Sequence, residues 1–120
     1  MSLPSDDSLV LLHNPRCSKS RATKALLEEK GAVFAERFYL EEPLDRDELQ
    51  ELGTRLGKPV TGWVRRKEAA FAEAGLDDSA SADAILDAMV AHPILMERPI
   101  LVRGSRAAIG RPPEDVLALL

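Results

Sequence analysis

Strand-like and helix-like spacings of apolar residues follow one another in the N-terminal part of the chain. Ser8 to Leu12 is an apolar run long enough for a buried strand, and Ala32 to Leu40 predicts a second strand. Between them a helix is predicted from Ser18 or Ser20 to Lys30, and Gly31 suits the position just after its end. The apolar stripe of this helix consists of Ala22, Ala25, Leu26 and Leu27. A strand, a helix and a strand in succession predict a βαβ unit with parallel strands.

The middle of the chain predicts a block of helices. Asp45 and Glu48 have the spacing of a capping box and mark a helix start. The stretch from Thr61 to Ala74 is predicted to be helical in short pieces. A longer helix is predicted from Ser79 or Ser81 to Ala91, and it ends before a proline.

The C-terminal part predicts a hairpin and a helix. Ile100 to Val102 and Arg106 to Ile109 are predicted strands, joined by the two-residue turn Gly104-Ser105. Pro112 suits the first position of a last helix, whose apolar residues up to Leu120 are expected to pack inward. The order βαβ, helical insertion, ββα predicts a single α/β domain over residues 1–120, with a small mixed sheet flanked by helices.

Charge and composition exclude several classes of function. The net charge of -4 gives the chain no nucleic-acid footprint. It contains no apolar run long enough to cross a membrane, and its polar start, Met1 to Asp7, is unlike a signal peptide. One cysteine and two distant histidines suggest no metal site. A single cysteine forms no internal disulfide, which fits the cytoplasm.

The single cysteine, Cys17, lies between the first strand and the first helix, among basic residues. A helix N-terminus offers unpaired N–H groups and the positive end of the helix dipole, and both stabilise a thiolate. The same groups bind tetrahedral oxyanions. Cys17 is therefore a candidate nucleophile. The candidate supporting residues in this turn are His13, Asn14, Ser18, Ser20 and Arg21.

These residues also have structural interpretations. A lone cysteine is commonly a buried core residue. His13 has two interpretations, which are holding the turn through hydrogen bonds and tuning the thiol. Asn14 is expected to organise the turn, because asparagine side chains bond to nearby backbone groups.

The stretch His13 to Arg21 resembles the cysteine motif of the glutaredoxin-coupled arsenate reductase (ArsC) family, which has a thioredoxin-like fold. Further segments resemble that family in the same order along the chain. These segments are Tyr39 to Glu41, Val64 to Glu68, His92 to Ile100 and Ile109 to Pro113.

The resemblance implies a mechanism and a set of site residues. Cys17 would attack arsenate, glutathione would attack the adduct, and glutaredoxin would remove the mixed disulfide so that arsenite is released. Arg65, Arg98 and Arg111 would hold the oxyanion, with the adjacent Arg66 as an alternative to Arg65. The resemblance also implies that Arg98-Pro99 is cis and faces the cysteine. Glutathione would be a co-substrate, and no bound cofactor is implied.

Two other functions remain open for the same fold. Well-known arsenate reductases have Gly and Thr where this chain has Ser18-Lys19. One alternative is a glutathione-linked thiol–disulfide protein without an oxyanion substrate. The other is a binding module similar to relatives that regulate transcription by contacting RNA polymerase. Those regulators carry a Cys-x-x-Cys pair, whereas this chain has Ser20 at the second position.

Overall fold

The computed structural model describes residues 3–4 and 6–120 of the chain. Within that part, four strands form one sheet in the order β2-β1-β3-β4. The strands are β1 (Leu9–Leu12), β2 (Phe34–Arg37), β3 (Ile100–Arg103) and β4 (Arg106–Ile109). Strand β1 is parallel to β2 and antiparallel to β3, and β4 is antiparallel to β3. The predicted α/β class and mixed sheet are confirmed, and the topology is thioredoxin-like.

The helices lie between β1 and β2 and in the long insertion between β2 and β3. They are α1 (Ser18–Glu29), α2 (Arg46–Leu56), α3 (Ala69–Glu73) and α4 (Ala82–Ala91). Short 3₁₀ segments cover Val60–Gly62, Pro93–Leu95 and Pro113–Leu119. Local signals placed several helix ends correctly. The capping box of Asp45 and Glu48 is present, Ser81 caps α4, and Gly31 follows the end of α1 with φ 72°.

Side chains from both faces of the sheet are buried, because successive residues of a strand point to opposite faces. On one face, the packed residues are Leu9, Leu11, Leu27, Leu101, Val116 and Leu119. On the other face, Leu12, Ile100 and Val102 join the helical insertion, which contributes Leu49, Leu52, Trp63, Ile85 and Met89. The sheet therefore fixes the end of β1, where the cysteine turn begins, between two packed layers.

Two predicted elements differ from the structure at their ends. Strand β2 is shorter than Ala32 to Leu40, because the chain turns after Arg37 and Val33 is 91% exposed. The last segment begins at Pro113 and is a 3₁₀ helix, and Leu120 is exposed rather than packed. Pro112 cannot start it readily, since a residue before proline is disfavoured in the helical region.

The predicted inward face of α1 is partly wrong, because Leu27 is buried and Leu26 is half-buried but the two alanines are not. Ala22 and Ala25 are exposed, and the buried residues of the helix are Ser20, Thr23 and Leu27. Two polar residues lie inward because their hydroxyl groups are bonded inside the protein, Ser20 to the cysteine turn and Thr23 to the Lys19 carbonyl. The apolar stripe therefore indicated Leu27 correctly and missed the two buried hydroxyl residues.

None of the helices in residues 3–4 and 6–120 is both long and apolar enough to span a bilayer.

Candidate active site

Cys17 is the N-cap residue of α1, with extended backbone angles of φ -96° and ψ 125°. Its N–H donates to the Asn14 carbonyl at 3.0 Å, and its own carbonyl accepts from Arg21 N–H at 3.0 Å. The residue is 8% exposed. The turn thus delivers a largely buried thiol to the end of the helix that carries the free N–H groups.

The surroundings of Cys17 lower the pKa of its thiol. Burial is the largest influence and acts in the opposite direction, because it disfavours the charged thiolate. The backbone N–H of Ser20, the Arg98 guanidinium and the backbone N–H of Lys19 together outweigh it. The thiolate is therefore stabilised by the first turn of α1 and by one arginine that is distant in sequence.

Asn14 and Ser20 hold the cysteine turn from inside. The Asn14 side-chain Oδ1 accepts from Arg16 N–H at 3.1 Å, and the Asn14 N–H donates to Ser20 Oγ at 3.0 Å. Both residues are buried. Since the Ser20 N–H is one of the groups that stabilise the thiolate, these bonds also fix a donor to Cys17.

His13 is buried at the end of β1 and supports Ser20. Its Nδ1 lies 2.7 Å from Ser20 Oγ, and its ring packs 5.8 Å from the Phe38 ring, centroid to centroid. Burial lowers the pKa of His13, so the neutral imidazole is favoured. Of the two interpretations of His13, which are holding the turn and tuning the thiol, this geometry supports the first.

Arg21 and Ser18 lie on the outside of the same turn. Arg21 Nη1 donates to the Pro15 carbonyl at 2.9 Å and is exposed, and Ser18 is the exposed first residue of α1. Arg21 therefore braces the turn from the solvent side.

Arg98 lies two residues before β3, and its guanidinium acts on Cys17. The Arg98–Pro99 peptide bond is cis, as the resemblance implied, and Pro99 is buried. The Pro99 carbonyl accepts from Gly110 N–H at 2.8 Å, which ties this loop to the end of β4. A Cβ on Gly110 would lie 2.7 Å from Thr23 Oγ1 and 2.9 Å from Pro99 Cγ. Only glycine therefore lets the loop pack so closely against α1.

Three polar atoms at this site are buried and make no hydrogen bond to any residue that the structure describes. They are Arg98 Nε, Arg98 Nη1 and the hydroxyl oxygen of Tyr39. We call these atoms the open donors. Buried polar groups are normally paired, so each open donor is a candidate position for a ligand atom.

Arg65 reaches the site region through a short antiparallel contact. Val64 and Met96 form a β-bridge, and Arg65 N–H donates to the Leu95 carbonyl at 2.7 Å. The Arg65 guanidinium, however, contacts Glu68 Oε1 at 2.5 Å and the Ile94 carbonyl at 3.3 Å. The segment therefore lies beside the residues that lead into Arg98, while the charge of Arg65 is paired.

Arg66 is placed differently from its neighbour. It is exposed, donates to the Thr61 carbonyl at 3.0 Å and stacks 5.7 Å above the Phe71 ring centroid. Its backbone is not part of the contact with Leu95. Of the two adjacent arginines, Arg65 therefore has the better position for a site residue.

Arg111 follows β4 and pairs with a carboxylate as well. Its Nη1 lies 3.0 Å from Glu97 Oε2, and the side chain is exposed. Glu97 directly precedes Arg98, so Arg111 lies near the loop that faces the cysteine. Together these contacts place Arg98 at Cys17, and they place Arg65 and Arg111 on flanking segments with their charges held by Glu68 and Glu97.

Tyr39 is a further candidate site residue, for which the sequence alone indicated no role. It is 0% exposed, and burial is the largest influence on its pKa, followed by Arg98, Cys17, Asn14 and Glu68. The available signal was its place in the segment Tyr39 to Glu41, which resembles the family but suggested no role.

Among the residues that the structure describes, no group of three or more His, Cys, Asp or Glu is arranged to hold a metal ion.

Comparisons with known proteins match this chain to one family over most of its length. A sequence model of the ArsC family matches residues 12–119. A relative from Neisseria meningitidis serogroup A named arsenate reductase is 44% identical over 112 residues, covering 92% of this chain and 96% of the relative. One with the same name from Haemophilus influenzae is 41% identical over 115 residues, covering 94% and 99%. The solved structure of an arsenate reductase from Vibrio cholerae matches with a TM-score of 0.89 at 45% identity, covering 96% of this chain and 99% of that one.

Proposed function

Because the chain belongs to the ArsC family, we propose that it is an arsenate reductase that uses Cys17 as its nucleophile, with glutathione and glutaredoxin as external reductants. The observation that carries the proposal is the position of Cys17 at the start of α1, beside Arg98, with its pKa lowered. A lower pKa raises the fraction of thiolate, which is the nucleophilic form.

The groups that stabilise the thiolate also suit an arsenate ion. Arsenate resembles phosphate, which carries about -1.5 to -2 charges at neutral pH. Backbone N–H groups at the start of a helix bind such anions, and an arginine fork adds charge-assisted hydrogen bonds. Arg98 Nε and Nη1 are open donors and therefore provide such a fork.

The proposed reaction transfers two electrons from two glutathione molecules to arsenic. The Cys17 thiolate forms an S–As(V) bond, and one arsenate oxygen leaves as water after protonation. A glutathione thiolate then attacks the Cys17 sulfur, and the electron pair of the S–As bond stays on arsenic. Arsenic leaves as As(III) arsenite, and Cys17 is left in a mixed disulfide. A second glutathione, through glutaredoxin, reduces this disulfide and yields oxidised glutathione.

An external reductant is part of the proposal because the chain has one cysteine. A self-contained thiol reductase needs a second, resolving thiol to break the covalent intermediate. Glutathione supplies that thiol, and the cytoplasm is the compartment that holds it reduced.

In this proposal Arg65 and Arg111 help to hold the oxyanion after a change of partner. Their guanidinium groups exchange the carboxylates of Glu68 and Glu97 for the oxygens of arsenate. Arg98 differs because its open donors are available without such an exchange. Arg98 is therefore the primary anion ligand of the proposed site.

The test is arsenate reduction by the purified protein with glutathione, glutaredoxin, glutathione reductase and NADPH. Arsenite is measured directly, so that NADPH oxidation by thiol exchange alone is not mistaken for turnover. Wild type is expected to form arsenite, and Cys17→Ser is expected to form none. Arsenite formation that persists in Cys17→Ser, or its absence in wild type, would contradict the proposal.

The same reagents test the thiol–disulfide alternative. A glutathionylated peptide replaces arsenate, and release of the peptide thiol is measured. Peptide reduction that depends on Cys17, in a protein that forms no arsenite, would favour a thiol–disulfide function for this fold.

A further inference from the structure

Tyr39 is held rigidly in the turn that follows β2. The Glu42 N–H donates to the Phe38 carbonyl at 2.8 Å and closes the turn. The Arg37 guanidinium, which is buried in an ion pair with Glu48, donates through Nε to the Glu42 carbonyl at 3.0 Å. A buried ion pair anchored on α2 therefore fixes the backbone from which Tyr39 projects inward.

The Tyr39 hydroxyl is an open donor in a fully buried side chain. Removing a hydroxyl from water without giving it a partner is unfavourable, and native proteins seldom leave such a group unsatisfied. The hydrogen bonds that close and anchor the turn fix the backbone at Tyr39, so the hydroxyl is held in its buried position. A ligand atom that is bound during function would satisfy it.

The groups around this hydroxyl identify the kind of ligand. Besides burial, Arg98 and the Asn14 side chain lower the pKa of Tyr39, and the Cys17 sulfur and the Glu68 carboxylate raise it. Burial is the main influence and raises the pKa of Tyr39 to about 12, so the phenol keeps its proton. A phenol that stays protonated can donate a hydrogen bond to a negatively charged oxygen.

We propose that the Tyr39 hydroxyl donates a hydrogen bond to an oxygen of the tetrahedral oxyanion bound beside Cys17, next to the two open donors of Arg98. This inference rests on the proposed function. It adds an uncharged hydrogen-bond donor to the three arginines that are proposed to hold the oxyanion. A neutral donor attracts the anion without adding net charge, and it orients one oxygen while Cys17 attacks the central atom.

The test compares wild type with Tyr39→Phe, which removes one oxygen atom. Cys17 is alkylated with iodoacetamide in the presence of increasing arsenate or, separately, inorganic phosphate. Loss of a hydrogen bond to a charged group is expected to raise the concentration for half-protection about tenfold. The thermal midpoint is expected to stay the same or rise, because an unsatisfied buried hydroxyl is removed. Thr54→Val is the matched control, since it removes an exposed hydroxyl on α2 and is expected to keep wild-type protection.

A second measurement uses the unmodified sequence and does not depend on a variant. Tyr39 is the only tyrosine of the chain. Tyrosine labelled with ¹³C at Cζ therefore gives one resonance, which is expected to shift as phosphate or arsenate is added. The midpoint of that shift is expected to coincide with the midpoint of Cys17 protection.

The outcomes separate this inference from the proposed function. Protection of wild type with equal protection of Tyr39→Phe would overturn the inference and leave the proposed function standing. The inference would also be overturned if the alkylation rate of Cys17 in Tyr39→Phe rose at a higher pH than in wild type while protection by the anions stayed unchanged. The hydroxyl would then stabilise the thiolate instead of the anion. Absence of protection in wild type by either anion, with no shift of the tyrosine resonance, would overturn both.

Discussion

The Arg65 guanidinium lies 2.5 Å from the Glu68 carboxylate, measured from Nη2 to Oε1, although the family resemblance assigns Arg65 to an oxyanion. Arg111 has the same kind of partner in Glu97, at 3.0 Å. Two of the three expected anion ligands thus hold carboxylates of the same chain. In the proposed function, the strength of anion binding therefore depends on how readily these ion pairs open.

Glu68→Gln is expected to strengthen anion binding. The substitution removes the charge that competes for Arg65 and keeps the side-chain size. A partly buried ion pair contributes on the order of 1 kcal/mol, so the concentration of phosphate that half-protects Cys17 is expected to fall about fivefold. Glu51→Gln is the matched control, because Glu51 pairs with Arg55 on α2. Unchanged or weaker protection in Glu68→Gln would show that Arg65 does not exchange partners.

Arg98→Met is expected to raise the pKa of Cys17. The wild-type thiol ionises below its ordinary pKa, so its alkylation rate rises at a lower pH than that of an ordinary thiol. Removing the Arg98 charge shifts this rise to higher pH and slows alkylation at neutral pH. The measurement is the iodoacetamide rate against pH, with the exposed Arg106→Met as the charge-matched control. The same midpoint in wild type and Arg98→Met would contradict the assigned cause.

Ser20→Ala is expected to destabilise the protein and to reduce the reactivity of Cys17. The change leaves the buried Asn14 N–H and His13 Nδ1 without their partner, which costs about 1–3 kcal/mol. The free energy of unfolding in urea measures this cost. Ser105→Ala in the exposed hairpin turn is the control, with an expected change within about 0.5 kcal/mol. Equal stabilities of the two variants would refute the structural role of Ser20.

Gly110→Ala is expected to separate the Pro99 loop from α1. Its new Cβ would meet Thr23 Oγ1 and Pro99 Cγ at distances below 3 Å, and overpacking of this kind costs about 1–3 kcal/mol. Urea unfolding gives the cost, and the rate of Cys17 alkylation reports on the displaced Arg98. Gly62→Ala is the control, because the nearest atom to its Cβ is Lys58 Cβ at 3.9 Å. A Gly110→Ala protein as stable as Gly62→Ala would contradict the tight packing.

The elements of this fold that were predicted correctly depend on neighbouring residues. The capping box of Asp45 and Glu48 and the two-residue turn at Gly104 each need contacts across only a few positions. The place of Cys17 at a helix start is equally local, because a strand, a proline turn and a helix follow one another there. Such features are readable from sequence, since their energetics are settled within one or two turns of chain.

Other features depend on contacts between distant segments. The buried face of α1 includes Ser20 because its hydroxyl meets His13, whereas Ala22 and Ala25 of the apolar stripe are exposed. The carboxylate partner of Arg111 and the burial of the Tyr39 hydroxyl likewise arise only when β4, β2 and the Arg98 loop converge. The local sequence therefore made Cys17 the candidate nucleophile, and the family resemblance implied the three arginines. Tertiary packing set which of their charges are paired and which donors stay open, because burial removes the water that would otherwise satisfy every polar group.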